Sequence, residues 1–309
     1  MSAVSVVICA YTEERWDTLA GAARAAAGGT LAPREVIVVC DHAPALEARV
    51  RAELPFVAAV PNDGPRGLSG ARNAGLETSS GDIVAFLDDD ALPAPDWLER
   101  LVAAYADPRV VGVGGAAEPV FPAERPAFLA PEFDWVVGCT YRGLPETAHP
   151  VRNLIGANMS FRRDALVRAG GFVPGIGRVG TRPVGCEETE LCIRLTQRDP
   201  EAVLLYDPAV AVRHVVTAER TTLRYYARRC WAEGRSKALV AARVGRQDAL
   251  ASERRHALRT LPRALRAALR RADAAGAARA LAIVTGLAIT TAGYLAGSTS
   301  TLTSKEESA

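Results

Sequence analysis

The chain has 309 residues, of which 49% are hydrophobic and 23% are charged, and it carries a net charge of +2. These values indicate a globular protein of one large or two modest domains, and the mild charge argues against nucleic acid as a partner. The six cysteines form no Cys-x-x-Cys pair, which favours buried free thiols in a reducing cytoplasm over a zinc site.

Short β-rich runs alternate with helical patterns in the first part of the chain. The N-terminus enters the first run without a basic leader, so no signal peptide is predicted. The runs are Val4 to Ala10, Glu35 to Cys40, and Val57 to Val60. Strands that alternate with helices predict parallel βαβ units, and therefore a sheet that is covered on both faces.

Polar residues follow each of these runs. Thr12 and Glu13 come after the first run, Asp41 comes after the second, and Asn62 comes after the third. Parallel strands end at a common edge of the sheet, and ligands of open α/β sheets bind beyond that edge. The sequence therefore predicts that these side chains converge on one site.

A glycine-rich stretch, Gly64 to Gly75, separates the third run from the fourth. Its glycines permit close backbone approach, and Ser69 is placed to cap a helix that carries Arg72. A helix N-terminus with an arginine nearby suits a phosphate or a nucleotide. An ordinary glycine-rich turn with a surface arginine is the alternative interpretation.

The fourth run, Ile83 to Leu87, leads directly into three aspartates, Asp88, Asp89 and Asp90. Adjacent carboxylates at a strand end repel one another unless a cation or a ligand uses them. Mg²⁺ and Mn²⁺ bind carboxylate and phosphate oxygens together, so this stretch favours a metal that holds a diphosphate. A solvated acidic turn that caps the next helix is the alternative.

A loose dinucleotide-like pattern, Gly112 to Ala117, follows the aspartates. Pro119 and Pro122 come directly after it and prevent the helix that such a pattern must open. It also lies after the fourth run, whereas a dinucleotide fold places it after the first. A nicotinamide cofactor is therefore not expected.

The second half of the chain contains further candidate residues. Glu187, Glu188 and Glu190 begin a predicted helix, whose dipole favours acids there, and Glu190 is spaced to pair with Arg194. His214 ends the last predicted strand, where a lone histidine is usually structural. Aromatic residues around Trp135 suit stacking on a sugar or plain packing.

After residue 220 the sequence becomes helical and basic. A helix is predicted from Thr221 to Val244, and eight arginines between Ala251 and Arg279 stand against Glu253 and Asp273. Such a basic amphipathic pattern is typical of a membrane surface. The apolar segment from Leu281 to Gly297 suits a membrane span, an interfacial hairpin or a docked core helix.

Several segments together resemble the inverting glycosyltransferases of family 2. They follow the order of that family over residues 3 to 235: Val4 to Glu13, Glu35 to Asp41, Gly70 to Gly75, Phe86 to Asp90, Gly156 to Arg163, Gly170 to Phe172 and Cys186 to Arg194. The resemblance implies a GT-A fold, a Rossmann-like mixed and mostly parallel sheet flanked by helices. Within the family, the sequence resembles prokaryotic glucuronosyltransferases that act on dolichyl- or polyprenyl-linked glucose.

The resemblance implies roles for the matching residues. Glu188 occupies the position of the catalytic base, where a glutamate replaces the usual aspartate, and Glu187 is its close rival. The nucleotide-sugar donor would contact Thr12, Glu13, Asp41, Asn62, Arg72, Asp88 and Asp89, and Mn²⁺ or Mg²⁺ would contact Asp90, Asp88 and His214. The chain has Cys40, Asp41 and His42 where relatives often have two acids, so the base of the nucleotide stays open, with uridine diphosphate favoured.

The resemblance thus predicts an inverting transferase that moves glucuronate or a hexose from a UDP-sugar to a lipid-linked or saccharide acceptor. Arg66 or Arg182 is a candidate partner for a uronate carboxylate. The predicted organisation is a GT-A domain over 1–220, a membrane-associating helical extension over 221–297 at the cytoplasmic face, and a disordered tail over 298–309.

Two other functions stay open. The first is an inactive nucleotide-sugar-binding protein that serves as a membrane scaffold. The presence of Asp88 to Asp90 and Glu188 argues against this function. The second is a sugar nucleotidyltransferase, which is disfavoured because no glycine-rich loop with a lysine follows the first strand.

Overall fold

A computed structural model describes residues 2–180 and 184–306 of the chain. Arg182, one of the two arginines predicted to pair with a uronate, lies outside the described residues. Strands alternate with helices in the first half, as predicted. The strands are β1 Val4–Ala10, β2 Glu35–Asp41, β3 Ala58–Asn62, β4 Ile83–Asp88, β5 Ala91–Pro93, β6 Val110–Val120, β7 His149–Pro150, β8 Asn158–Arg162 and β9 Val203–Val215.

Helices cover the sheet and form most of the described chain after residue 222. They are α1 Trp16–Ala27, α2 Pro44–Glu53, α3 Leu68–Thr78, α4 Trp97–Ala104, α5 Arg163–Ala169, α6 Glu187–Arg198, α7 Leu223–Val244, α8 Arg246–Ala249, α9 Ala251–Arg255, α10 Leu261–Arg270 and α11 Ala274–Glu306. Short 3₁₀ turns occupy Glu13–Arg15, Pro131–Val137 and Ala218–Thr221, and a π-helical turn occupies His256–Thr260.

The described strands form one mixed sheet in the order β3-β2-β1-β4-β8-β6-β9-β5, with β7 beside β9. The strands β3, β2, β1 and β4 run parallel, and β8 is antiparallel to both β4 and β6. Successive residues of β1 pack on opposite faces, since Val6 and Ile8 join one apolar cluster while Val7 joins the other. The predicted α/β class, with both faces covered, is confirmed.

The register between β5 and β9 brings a distant histidine to the three aspartates. Ala91 pairs with His214 across these antiparallel strands. One residue away, the backbone N–H of Val215 donates to the carbonyl oxygen of Asp90 at 2.8 Å. The end of β9 therefore lies beside Asp90, two residues after the end of β4.

The C-terminal helices pack closely on one another. A Cβ on Gly234 of α7 would lie 2.1 Å from the carbonyl oxygen of Thr290 in α11, so glycine is needed at this crossing. The segment Ala274–Thr299 has 26 residues and is long and apolar enough to cross a membrane by length and composition, with 33% of its most apolar stretch buried.

The end of α11 differs from the prediction of a disordered tail from residue 298. The helix continues through Ser298 to Glu306. The hydroxyl of Ser298 donates to the carbonyl oxygen of Tyr294 one turn earlier, at 2.9 Å, which is compatible with a helix. Residues 307–309 lie outside the described part of the chain. The division at residue 220 stays a prediction.

Candidate active site

A cavity of about 320 Å³ lies beyond the carboxyl edge of β1, β2 and β4. This volume is in the range of small-molecule sites. The predicted site residues that line it are Asp41, Arg72, Asp88, Asp89, Glu187, Glu188 and His214. The C-terminal helices close its other side, where Lys237, Leu261 and Leu287 contribute side chains.

Five other predicted residues do not line this cavity, although one of them, Asp90, contacts His214, which does. The hydroxyl of Thr12 accepts from the N–H of Glu14 at 3.3 Å and thereby caps a turn. Glu13 lies at the surface, 3.7 Å from Arg49, and Arg66 is exposed. Asn62 is buried behind the cavity wall.

Asn62 nevertheless supports a residue that faces the cavity. Its side-chain amide donates to Asp41 Oδ1 at 2.6 Å, and the backbone N–H of Gly67 donates to Asp41 Oδ2 at 3.0 Å. Both carboxylate oxygens of Asp41 are therefore held in place. Asn62 orients Asp41 in this structure rather than facing the cavity itself.

The three aspartates differ sharply in exposure. The Asp88 side chain is 33% exposed, whereas Asp89 and Asp90 are almost fully buried. Asp90 Oδ1 lies 3.0 Å from His214 Nε2, and Asp90 Oδ2 lies 3.3 Å from Arg220. Arg15 lies 2.9 Å from Asp89 and 3.4 Å from Asp90. A cluster of cations therefore offsets the repulsion among the aspartates.

Asp88, Asp90 and His214 form a group whose ligand atoms all lie within 4.8 Å of one another. His214 Nδ1 and Asp89 Oδ2 are buried without a hydrogen-bond partner among the described residues. Carboxylates with one imidazole are a donor set that suits Mn²⁺, while Mg²⁺ favours the carboxylates alone. The residues present therefore fit a divalent metal.

Burial and charge move the pKa values of two aspartates in opposite directions. Burial, and next the charge of Asp90, raises the pKa of Asp89 to about 6. Burial also acts to raise the pKa of Asp90. The charge and hydrogen bond of His214, together with the charges of Arg220 and Arg15, outweigh this effect and hold the pKa of Asp90 well below its usual range. Asp90 is thus ionised throughout the neutral range.

Arg72 connects the aspartates with the acids of α6. Only 2% of its side chain is exposed. Its Nη1 donates to Glu187 Oε1 at 2.7 Å, its Nη2 donates to the carbonyl oxygen of Gly156 at 3.0 Å, and Asp88 lies 3.5 Å away. Arg72 also lines the cavity, so its predicted contact with the nucleotide stays a prediction.

Because Glu187 is held by Arg72, the neighbouring Glu188 is the carboxylate that faces the cavity without an ion pair in the described structure. Among the described residues, the Glu188 side chain accepts a hydrogen bond from the hydroxyl of Thr189 at 3.0 Å. Burial, and next the charge of Glu187, raises the pKa of Glu188 to about 7. A carboxyl group with this pKa is suited to accept a proton near neutral pH.

The residue before these acids has an unusual backbone. Cys186 precedes α6 with φ of 73°, a left-handed conformation that non-glycine residues seldom adopt. Its thiol donates to Glu233 Oε1 at 3.3 Å, and the backbone N–H of Gly185 donates to the hydroxyl of Ser236 at 3.2 Å. Helix α7 therefore holds the start of α6.

A buried ionic network continues from this contact along the cavity wall. Arg229 donates to Glu233 at 2.8 Å, and Lys237 lies 3.5 Å from the same carboxylate. Lys237 also lies 2.7 Å from Glu253, which accepts two hydrogen bonds from Arg152. The predicted extension thus forms part of the site wall.

Replacing Arg72 with Met is expected to lower the free energy of unfolding by about 3–5 kcal/mol, because Glu187 would keep a buried charge without its partner. Denaturant unfolding measures the change. The matched variant is Arg168→Met, whose pair with Asp164 lies on the surface and should contribute less than about 1 kcal/mol. Equal effects of the two substitutions would contradict the role given to Arg72.

Comparison with known proteins identifies relatives over most of the chain. The model of the family "Glycosyl transferase family 2" matches residues 5–169. Glucosyl-dolichyl phosphate glucuronosyltransferase of Haloferax volcanii is 36% identical over 241 residues, which are 77% of each chain. Pre-mycofactocin glycosyltransferase of Mycobacterium tuberculosis is 31% identical over 179 residues, which are 58% of this chain and 36% of that protein.

Two solved structures share the fold at low sequence identity. GalNAc-T7, crystallised with UDP, GalNAc and Mn²⁺, aligns with a TM-score of 0.53 and 18% identity over 75% of this chain and 47% of its own. The mannosyltransferase PcManGT of Pyrobaculum calidifontis, in complex with GDP-Man and Mn²⁺, aligns with a TM-score of 0.56 and 19% identity over 95% of this chain and 87% of its own. The predicted GT-A fold is confirmed.

Proposed function

Because the chain belongs to glycosyl transferase family 2, and is therefore a glycosyltransferase, we propose that it transfers a sugar from a UDP-sugar to a lipid-linked acceptor with inversion. The observation that carries this proposal is the pairing of two features in one cavity. Glu188 faces the cavity without an ion pair in the part of the chain that the structure describes, and the group of Asp88, Asp90 and His214 lies at the same cavity.

Glu188 is the general base in this proposal. Inversion in a single displacement requires a carboxylate on the acceptor side of the sugar, where it removes the proton of the attacking hydroxyl. The pKa of about 7 keeps an appreciable ionised fraction at neutral pH. Glu187 neutralises Arg72 and thereby positions the start of α6, so it is the weaker candidate for the base.

The donor would lie against the strand ends. Asp41, fixed by Asn62, is placed to accept hydrogen bonds from the nucleoside, and Asp88 and Asp89 line the same wall. Mn²⁺ or Mg²⁺ would be held by Asp88, Asp90 and His214, and such an ion supplies charge stabilisation to a departing diphosphate. Arg15, beside Asp89 and Asp90, adds positive charge at this wall.

The acceptor would occupy the side of the cavity that the C-terminal helices close. Trp135 lines this side and offers an aromatic face to a sugar ring, and Leu261 and Leu287 add apolar surface. The name of the Haloferax relative, which is 36% identical over 241 residues, includes a dolichyl phosphate acceptor and glucuronate. This name supports a lipid-linked acceptor, which we propose to lie at the cytoplasmic face of a membrane, and glucuronate is the first sugar to test.

A transfer assay tests the proposal. The purified chain, with Mn²⁺ or Mg²⁺, is incubated with a panel of UDP- and GDP-sugars and with polyprenyl phosphate-linked glucose. The expected result is transfer from a UDP-sugar, with a product whose new anomeric configuration, read by NMR, is opposite to that of the donor. Retention of configuration would overturn the inverting mechanism, and metal-dependent donor binding without transfer would favour the scaffold alternative.

The pH dependence follows from the raised pKa of Glu188. Because the base acts as a carboxylate, kcat/KM is expected to rise as the pH increases through about 7 and to level off above it. Donor binding, measured by calorimetry over the same range, separates this ionisation from effects on the metal group. A kcat/KM profile that is flat between pH 5 and pH 9, in the range where ordinary glutamates have already ionised, would contradict the assignment.

A further inference from the structure

The helix α11 has one face that packs on the protein and one that does not. On the inner face, a Cβ on Gly293 would lie 2.3 Å from the carbonyl oxygen of Trp231 in α7, and a Cβ on Gly297 would lie 2.8 Å from Ala238. The hydroxyl of Tyr226 donates to the carbonyl oxygen of Ala282 at 2.8 Å. This face of α11 therefore packs against α7.

The outer face of α11 exposes large apolar side chains at helical spacing. The exposed fractions are 65% for Leu281, 52% for Val284, 40% for Leu287 and 60% for Leu295. From Leu281 to Leu295 the rise of an α-helix gives a stripe of about 21 Å. An exposed apolar surface of this kind marks an interaction site in a soluble domain.

The stripe is continuous with the candidate active site. Leu287 belongs to the exposed stripe and also lines the cavity. Thr290, one turn further on, lines the cavity as well. Leu261, at the start of the neighbouring α10, lines the same end of the cavity. An apolar molecule seated on α11 would therefore reach the side of the cavity assigned to the acceptor.

Positive charge lies next to the stripe. The segment over α9 and α10 packs against α11 through Leu261 and Ala264, whereas its arginines point to solvent. The exposed arginines of this segment are Arg254, Arg255, Arg259, Arg263, Arg266 and Arg270. An apolar stripe beside exposed arginines complements the surface of a bilayer that contains anionic lipids.

We propose that the outer face of α11, with the arginines of α9 and α10, docks on an anionic membrane so that α11 lies in the membrane plane. A spanning orientation is disfavoured because α11 is packed along α7, whose Arg228 and Arg235 would then enter the hydrocarbon. The inference rests on the proposed function only in assigning the cavity end beside Leu287 to a lipid-linked acceptor.

Vesicle binding of the full chain tests this surface. Vesicles of phosphatidylcholine, with or without phosphatidylglycerol, are sedimented with the unaltered protein and with Val284→Asp. The expected result is binding to the anionic vesicles that weakens with salt, and a partition coefficient about tenfold lower for the variant. The matched control is Val167→Asp on α5, because Val167 is 53% exposed and Val284 is 52% exposed.

Equal binding of the Val284→Asp and Val167→Asp variants would overturn the proposal, as would binding that does not require the anionic lipid. Thermal unfolding of both variants checks that each is folded. Alkaline carbonate should release the chain from cell membranes, and its retention in the pellet would show a span instead. Donor binding in solution is a separate readout, so its absence from the unaltered chain would overturn the proposed function and leave this surface standing.

Discussion

Replacing Glu188 with Gln is expected to lower kcat by about 10²–10⁴-fold, which is the usual contribution of a general base. The amide has nearly the same shape and cannot accept the hydroxyl proton, so donor affinity should stay close to that of the unaltered enzyme. The free energy of unfolding should not fall, because the substitution removes a charge that burial and Glu187 disfavour. Transfer assays and denaturant unfolding of one preparation measure both effects.

The combination of lost turnover and preserved stability separates a catalytic role from a structural one. The matched variant is Glu187→Gln, which leaves the buried guanidinium of Arg72 without the negative charge of its 2.7 Å partner. That variant should unfold more easily and lose less of its kcat. If the large loss of kcat appeared in Glu187→Gln alone, the base would be Glu187 and the assignment made here would be wrong.

The sheet and the first half of the fold were predictable because each strand is an apolar run with polar residues at one end. Burial on both faces requires such runs, so β1, β2 and β4 were recognisable from composition. The predicted pairing of Glu190 with Arg194 on α6 is also confirmed, at 2.8 Å, because helical spacing alone brings these side chains together. Strand positions and ion pairs within one helix can therefore be predicted from the local periodicity of the sequence.

Partners that come together through tertiary packing were not predictable. Arg15 reaches Asp89 and Asp90 across more than seventy positions of the sequence, and Arg220 reaches Asp90 through the register of β5 and β9. Neither arginine carries a local signal beyond its charge. The left-handed backbone of Cys186 could not be predicted from the sequence either, because the residue is held by a contact with Glu233 of α7.

Thr12 and Glu13 show the limit of the strand-end rule. Both follow β1, as the rule requires, but the chain turns at once into a short 3₁₀ helix, in which the N–H of Glu14 donates to the Thr12 hydroxyl. Tyr11 and Arg15, which flank them, line the cavity instead. The edge of a sheet locates a site to within a few residues, and the local turn decides which side chains face it.

Replacing Asp90 with Ala is expected to abolish the metal-dependent part of donor binding. Asp90 is the residue that joins His214 to the aspartates, so the variant loses one ligand directly and leaves the imidazole without the carboxylate that orients it. Loss of such an orienting partner alone costs about 10–100-fold in metal affinity, and loss of the ligand as well should cost more. Calorimetric titration of UDP-sugars with and without Mn²⁺ measures the effect.

The same substitution leaves His214, Arg15 and Arg220 with less negative charge around them, so some loss of stability is expected. Asp88→Asn separates the two effects, because Asp88 is 33% exposed and its one cationic contact among the described residues, with Arg72, is 3.5 Å long. It should lose metal-dependent binding while unfolding like the unaltered chain. If both variants kept metal-dependent binding of a donor, the metal could not lie at Asp88 and Asp90 and would have to be held by other residues.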